Sequence, residues 1–264
     1  MRLVSAIVLA IVAVLATWGG ALSFAGLVAA VAVALIWEWG RLTRQKDVDR
    51  ADIASGLAVL VAIGLVAGGH AAAAVLLLAA GGCALAFLQR RDDGLVAAAG
   101  LLYAGLPSLA LVWLRGAPEF GWQAVLLVLL IVWATDTGAF VAGRALGGPR
   151  LWASVSPNKT WAGLAGGVLS AAIVAWLYTR WLGSPAPGRI AALALVLGGL
   201  SQLGDLAESA MKRTYGVKDT SRLIPGHGGF MDRVDGLVFA AVAAAIYAAL
   251  LGAASPGATL LGMR

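Results

Sequence analysis

The run Trp122-Gln123-Ala124-Val125-Leu126-Leu127-Val128-Leu129-Leu130-Ile131-Val132-Trp133-Ala134, continued by Thr135-Asp136-Thr137-Gly138-Ala139-Phe140-Val141-Ala142-Gly143, contains one charge in 22 residues. A helix needs about 20 apolar residues to cross the hydrocarbon of a bilayer. Residues 122–143 therefore predict a transmembrane helix that carries a carboxylate, Asp136, within the span. An ionisable group at that depth is costly unless it is paired or hydrated. It marks either a functional site or a polar contact with a neighbouring helix.

Similar runs recur on both sides. Apolar stretches near 3–18, 21–39, 53–69, 71–88, 95–114, 163–182, 189–206 and 236–254 bring the total to about nine. Of the 264 residues, 61% are apolar and 12% charged; a soluble domain has about 25% charged residues. The expectation is an all-α, polytopic integral membrane protein, its first helix a retained span rather than a cleaved signal. Residues 1–120 read as scaffold helices and 121–264 as a catalytic region of one continuous membrane domain. The lone Cys83 excludes an internal disulfide and a cysteine-cluster zinc site.

Nine spans with the N-terminus inside place fifteen of the 19 Lys and Arg residues on the cytoplasmic side. Only Arg115, Arg180, Arg189 and Arg264 fall outside. This asymmetry agrees with the positive-inside rule. The cations form no single long basic patch, so the net charge of +6 points to a membrane surface rather than nucleic acid. A bacterial-type inner membrane with the polar chemistry facing the cytoplasm is the expected location.

The chemistry concentrates in the second half. Asp205 and Glu208 are three apart, so they share a helix face that Ser209 and Lys212 continue. Asp232 and Asp235 repeat the spacing where the last span begins. Two such carboxylate pairs offer hard oxygen ligands suited to magnesium. Helix capping would explain Asp232 equally well. It does not explain Asp205, which the pattern puts near a helix C-terminus.

Between the pairs, Lys212-Arg213-Thr214-Tyr215-Gly216-Val217-Lys218-Asp219-Thr220-Ser221-Arg222 is rich in cations and hydroxyls. Ile224-Pro225-Gly226-His227-Gly228-Gly229-Phe230 follows, where glycine lets backbone N–H groups approach an anion. Upstream, Ser154-Val155-Ser156-Pro157-Asn158-Lys159-Thr160 reads as the start of a helix, with Lys159 in its first turn. That place suits a phosphate or an ordinary cap.

These residues resemble the phosphatidate cytidylyltransferases, or CDP-diacylglycerol synthases. The resemblance rests on Ser209-Ala210-Met211-Lys212-Arg213, Lys218-Asp219, Pro225-Gly226-His227-Gly228-Gly229 and Asp232-Arg233-Val234-Asp235. Asp136-Thr137-Gly138-Ala139-Phe140, Gly143-Arg144, Ser156-Pro157-Asn158-Lys159-Thr160 and Gly204-Asp205-Leu206-Ala207-Glu208-Ser209 extend it over roughly the second half. Many relatives have glutamate where Ala162 stands and serine where Gly236 stands.

The resemblance implies transfer of the cytidylyl group of CTP to phosphatidate, with a homodimer as the assembly. It implies magnesium, with room for a second cation, on Asp205, Asp232, Glu208 and Asp235. Lys212 and Asp219 join the catalytic set. Ser156, Asn158, Lys159, Thr160, Asp136, Arg144, Arg213, Lys218, His227, Gly228, Gly229 and Arg233 are the expected substrate contacts. Two alternatives stay open: a CTP-dependent transferase for another lipid phosphate, and a proton-coupled transporter using the intramembrane acids.

Overall fold

A computed structural model describes residues 2–44, 48–88, 91–221, 223–224, 228–252 and 254–263. The described chain is helical apart from one short hairpin: α1 Arg2–Trp18, α2 Ala21–Arg44, α3 Arg50–Ala67, α4 Ala71–Leu88, α5 Arg91–Arg115, α6 Gly121–Leu146, β1 Arg150–Trp152, β2 Ser156–Thr160, α7 Trp161–Trp181, α8 Pro187–Thr214, α9 Met231–Gly252 and α10 Pro256–Leu260. Among the described residues, eight helices, α2 to α9, are long and apolar enough to cross a membrane; α1 contributes a shorter apolar helix over Ile7–Trp18. Each expected span falls on one helix. Large apolar side chains such as Leu22, Phe87, Trp181 and Leu250 point outward, as lipid-facing residues do.

Packing divides the chain into two compact units. The first contains residues 1–116 and Tyr215–Val234, the second Ala117–Thr214 and Asp235–Arg264. In the first, α2 to α5 pack on one another. Trp39 of α2 donates from Nε1 to the Val96 carbonyl at 2.9 Å and stacks at 5.2 Å on Tyr103. Gly100 and Gly105 make this approach possible: a Cβ at Gly105 would lie 2.6 Å from Leu78, and one at Gly100 2.6 Å from the Trp39 indole nitrogen. Helix α3 starts at a capping box in which the Asp49 side chain accepts from Asp52 N while Asp52 accepts from Asp49 N.

In the second unit α6, α7 and α8 pack closely. Gly138, Gly163, Gly166 and Gly167 line the α6–α7 contact, and a Cβ at Gly167 would lie 2.6 Å from the Thr135 carbonyl. Small residues of this kind let helix backbones approach in lipid.

Two local expectations are corrected. Residues 156–160 do not open a helix: they form β2, antiparallel to β1 with Arg150 opposite Thr160 and Trp152 opposite Ser156. Helix α7 begins only at Trp161, capped by the Thr160 side chain, which accepts from Gly163 N at 3.0 Å. Asp205 is also not at a helix end. Helix α8 has 28 residues, about 42 Å at 1.5 Å per residue, and Asp205 is followed by more than two further turns. The cations Lys212 and Arg213 hold the chain helical to its C-terminus, where they suit the dipole.

Candidate functional site

Helix α8 presents Asp205 and Glu208 one turn apart, and α9 presents Asp235 towards them. Two glycines permit the approach. A Cβ at Gly204 would strike the Asp235 carbonyl, and one at Gly236 the Ser201 hydroxyl. Gly236 is thus a packing position. One carboxylate oxygen from each of Asp205, Glu208 and Asp235 lies within 4.8 Å of the others, although Glu208 is only 2% exposed. Three like charges this close repel. Lys159 Nζ, 2.6 Å from Asp205 Oδ2, and Lys212 Nζ, 3.1 Å from Glu208 Oε2, offset two of them. Ser209 Oγ donates to Asp205 Oδ1 at 3.3 Å. The group keeps an excess of anionic oxygen, a donor set that fits a hard divalent cation such as magnesium.

Beside this cluster is a cavity of about 330 Å³. Asp136 and Phe140 of α6 line it, with Ser156, Asn158, Lys159 and Thr160 of β2 and Gln202 and Asp205 of α8. The hairpin therefore carries four expected substrate contacts to one wall, and one of them, Lys159, also reaches Asp205. Gln202 was not singled out by the sequence. Its Nε2 donates to Asp136 Oδ1 at 3.2 Å and its carbonyl lies 3.5 Å from Lys159 Nζ. Asp136 thus has a polar partner on another helix, whereas Thr135 Oγ1 donates to Ile131 O.

In the first unit, Asp219, Gly228, Gly229 and Asp232 gather around Thr220. Asp232 Oδ2 accepts from Thr220 N at 3.0 Å, Thr220 Oγ1 at 2.9 Å and Gly229 N at 2.8 Å. Gly228 has φ +80°, a conformation in which an L side chain is strained. Gly229 packs so tightly that a Cβ would strike Thr220 Oγ1 and Glu38 Oε1. Glu38, on α2, is a second residue that the sequence did not single out. It is fully buried and accepts from Ser221 Oγ at 2.6 Å, Phe230 N at 2.9 Å and Met231 N at 2.7 Å. A lone acid between Trp37 and Trp39 in an apolar run was the available signal.

Arg144, Arg213, Lys218, Asp219 and Arg233 are exposed. Arg144 is absent from the cavity wall described above, and Arg213 Nε reaches Val155 O at 3.5 Å. His227, with Pro225 and Gly226, lies outside the described residues.

A family model described as the cytidylyltransferase family matches residues 1–251. The chain belongs to this family. It is 40% identical over 253 residues to the phosphatidate cytidylyltransferase of Brucella suis biovar 1, a match covering 94% of this chain and 93% of the relative. The phosphatidate cytidylyltransferase of Brucella abortus strain 2308 is similar to the same extent. That of Bacillus subtilis strain 168 is 36% identical over 149 residues, 56% of this chain and 55% of the relative. Family membership favours the transferase reading over the transporter. The match takes in the first five helices as well as the motif-bearing half.

Proposed function

We propose that this chain makes CDP-diacylglycerol and pyrophosphate from CTP and phosphatidate at the cytoplasmic face of a bacterial inner membrane. The observation that carries the reading is the convergence of Asp205, Glu208 and Asp235 beside a cavity that Lys159 borders. A phosphatidate oxygen bonds to the α-phosphorus of CTP, the bond from that phosphorus to the β-bridging oxygen breaks, and pyrophosphate leaves with the electron pair. The attacking oxygen is already ionised, so the protein's task is positioning and charge neutralisation.

Asp205, Glu208 and Asp235 would hold magnesium. Asp232, three residues before Asp235, is kept as a further ligand on the sequence pattern. When bound, the ion supplies positive charge against the phosphates and the departing pyrophosphate. Lys159 and Lys212, now facing acids, sit where they can turn to phosphate oxygens. Ser156, Asn158 and Thr160 add hydrogen-bonding groups on the same wall, and Gln202 orients Asp136. Lys218, Arg213, Arg233 and Arg144 supply exposed positive charge. The acyl chains remain in the bilayer.

Purified protein in detergent, given labelled CTP and phosphatidate, tests the reading. Labelled CDP-diacylglycerol that vanishes on chelation and returns with magnesium is expected. Product with an isoprenoid phosphate but none with phosphatidate would assign the chain to another lipid phosphate.

A further inference from the structure

The sequence pattern leaves the first helices as scaffold, yet one of them reaches the segment around Asp232 through a single side chain. Glu38 lies in α2, and Met231, to whose N–H it is bound, is 193 positions further along. The first N–H groups of any helix lack intrahelical partners. At α9 Glu38 takes two of them, Phe230 N on Oε1 and Met231 N on Oε2. The same Oε1 accepts from Ser221 Oγ. Thr220 Oγ1 stands between two carboxylates, 2.9 Å from Asp232 Oδ2 and 3.4 Å from Glu38 Oε2. Its one proton can serve only one at a time. With Glu38 satisfied by Ser221 and the two amides, the threonine proton is left to Asp232.

We infer that Glu38 is a positioning residue for nucleotidyl transfer: it ties Ser221 to Phe230 and Met231 and thereby fixes the Asp232 carboxylate. A buried acid that only pins helices together would not need its bonds concentrated on this segment. Its three donors, Ser221, Phe230 and Met231, lie on both sides of Gly228 and Gly229 in the chain. Gly229 leaves no room for a side chain between Glu38 and Thr220, so the clamp and the turn are one unit. The inference rests on the proposed role of Asp232 in the reaction.

The test compares Glu38→Gln, Glu38→Asp, Ser221→Ala and Asp232→Asn in full-length protein in detergent. Glutamine keeps the volume but turns an NH2 group towards Met231 N or Phe230 N, donor against donor. Aspartate keeps both acceptors on a shorter arm. Two readouts are taken: steady-state kinetics with magnesium and CTP varied, and amide hydrogen exchange without substrate. The expected result for Glu38→Gln is kcat lower by roughly tenfold or more, with faster exchange confined to residues 219–233 and the other helices unchanged. Glu38→Asp recovers part of kcat, and Ser221→Ala, which leaves Glu38 its two amide partners and so disturbs the fold less, shows a smaller effect of the same kind. Near-normal turnover of Asp232→Asn would remove the reading on which the inference stands. An inactive Asp232→Asn alongside Glu38→Gln and Ser221→Ala variants with normal kcat and exchange would overturn the clamp while leaving Asp232 in place. Activity lost only in proportion to folded protein, with exchange raised throughout the chain, would overturn it too.

Discussion

Lys159 Nζ lies 2.6 Å from Asp205 Oδ2, joining the hairpin to the middle of α8. Lys159 is 18% exposed and Asp205 31% at the side chain, so the pair is neither fully screened nor fully dry. The lysine lines the cavity together with Asp205, the acid it pairs with. Its removal should have two effects of opposite sign. Lys159→Met takes positive charge from the cavity wall, so kcat/KM for CTP should fall by roughly tenfold to a hundredfold, about 1.4 to 3 kcal/mol of barrier. It also removes a cation that competes for Asp205, so half-maximal rate should need less magnesium. Rates at varied magnesium and CTP check both; a rise in the magnesium requirement would contradict this role.

Asp205 and Asp235 approach from different helices and cannot substitute for each other. Asp205→Asn and Asp235→Asn should each lower kcat by roughly a hundredfold or more, about 3 kcal/mol of barrier. Extra magnesium should rescue little. Each variant should remain folded: Asp235→Asn relieves repulsion among three acids, whereas Asp205→Asn gives up the Lys159 pair along with that repulsion, so thermal unfolding in detergent is expected at or above the wild-type temperature for Asp235→Asn and near it for Asp205→Asn. Near-normal turnover in either variant would dismiss the cluster as the metal site.

The glycines at the turn differ in the reason for their intolerance. Gly228 has φ +80°, and a Cβ there would lie 2.6 Å from Asp232 Oδ2. That oxygen is held by three hydrogen bonds and cannot move aside without losing them. Gly229 has ordinary φ but faces Thr220 and Glu38. Close approach therefore limits both sites, and alanine is already harmful. Gly228→Ala and Gly229→Ala should each cut CTP turnover by roughly tenfold, the valine variants by more, with membrane insertion intact. Unchanged kinetics in both valine variants would remove this loop from the active site.

The helices were legible because hydropathy over 20 residues is an additive signal: every expected span became one helix. The hairpin at 150–160 was not. Its strands are three and five residues long, and Pro157 and Lys159 suit a helix start as well as they suit β2. The acids at 205, 208 and 235 were legible because helical spacing puts two on one face and the motif marks the third. Glu38 and Gln202 were hidden by distance. Glu38 is the lone acid of an apolar span and Gln202 lies beside Ser201 and Asp205, and the partner of each is fixed only by tertiary packing. The one local sign, a polar group where lipid disfavours it, says that a partner exists but not which.

The last prediction concerns sidedness. Within the first unit, Arg115 Nε, at the end of α5, donates to the Thr17 carbonyl at the end of α1. Trp39, near the end of α2, donates to Val96, near the start of α5. The ends of α1 and α5 therefore lie at one level, and the end of α2 with the start of α5 at the other, as an alternating path requires. On the fifteen-to-four division of basic residues, we predict that the second level faces the cytoplasm. In a Cys83→Ser background, a cysteine replacing the exposed Gly116 should react with an impermeant thiol reagent from the periplasmic side. One replacing the exposed Lys218 should react only after the membrane is opened. Gly116 is suited to the probe because a Cβ there meets nothing closer than 3.2 Å. Equal labelling of both positions in intact cells would break the nine-span path, and reversed labelling would invert the molecule and move the proposed site to the wrong face for cytoplasmic CTP.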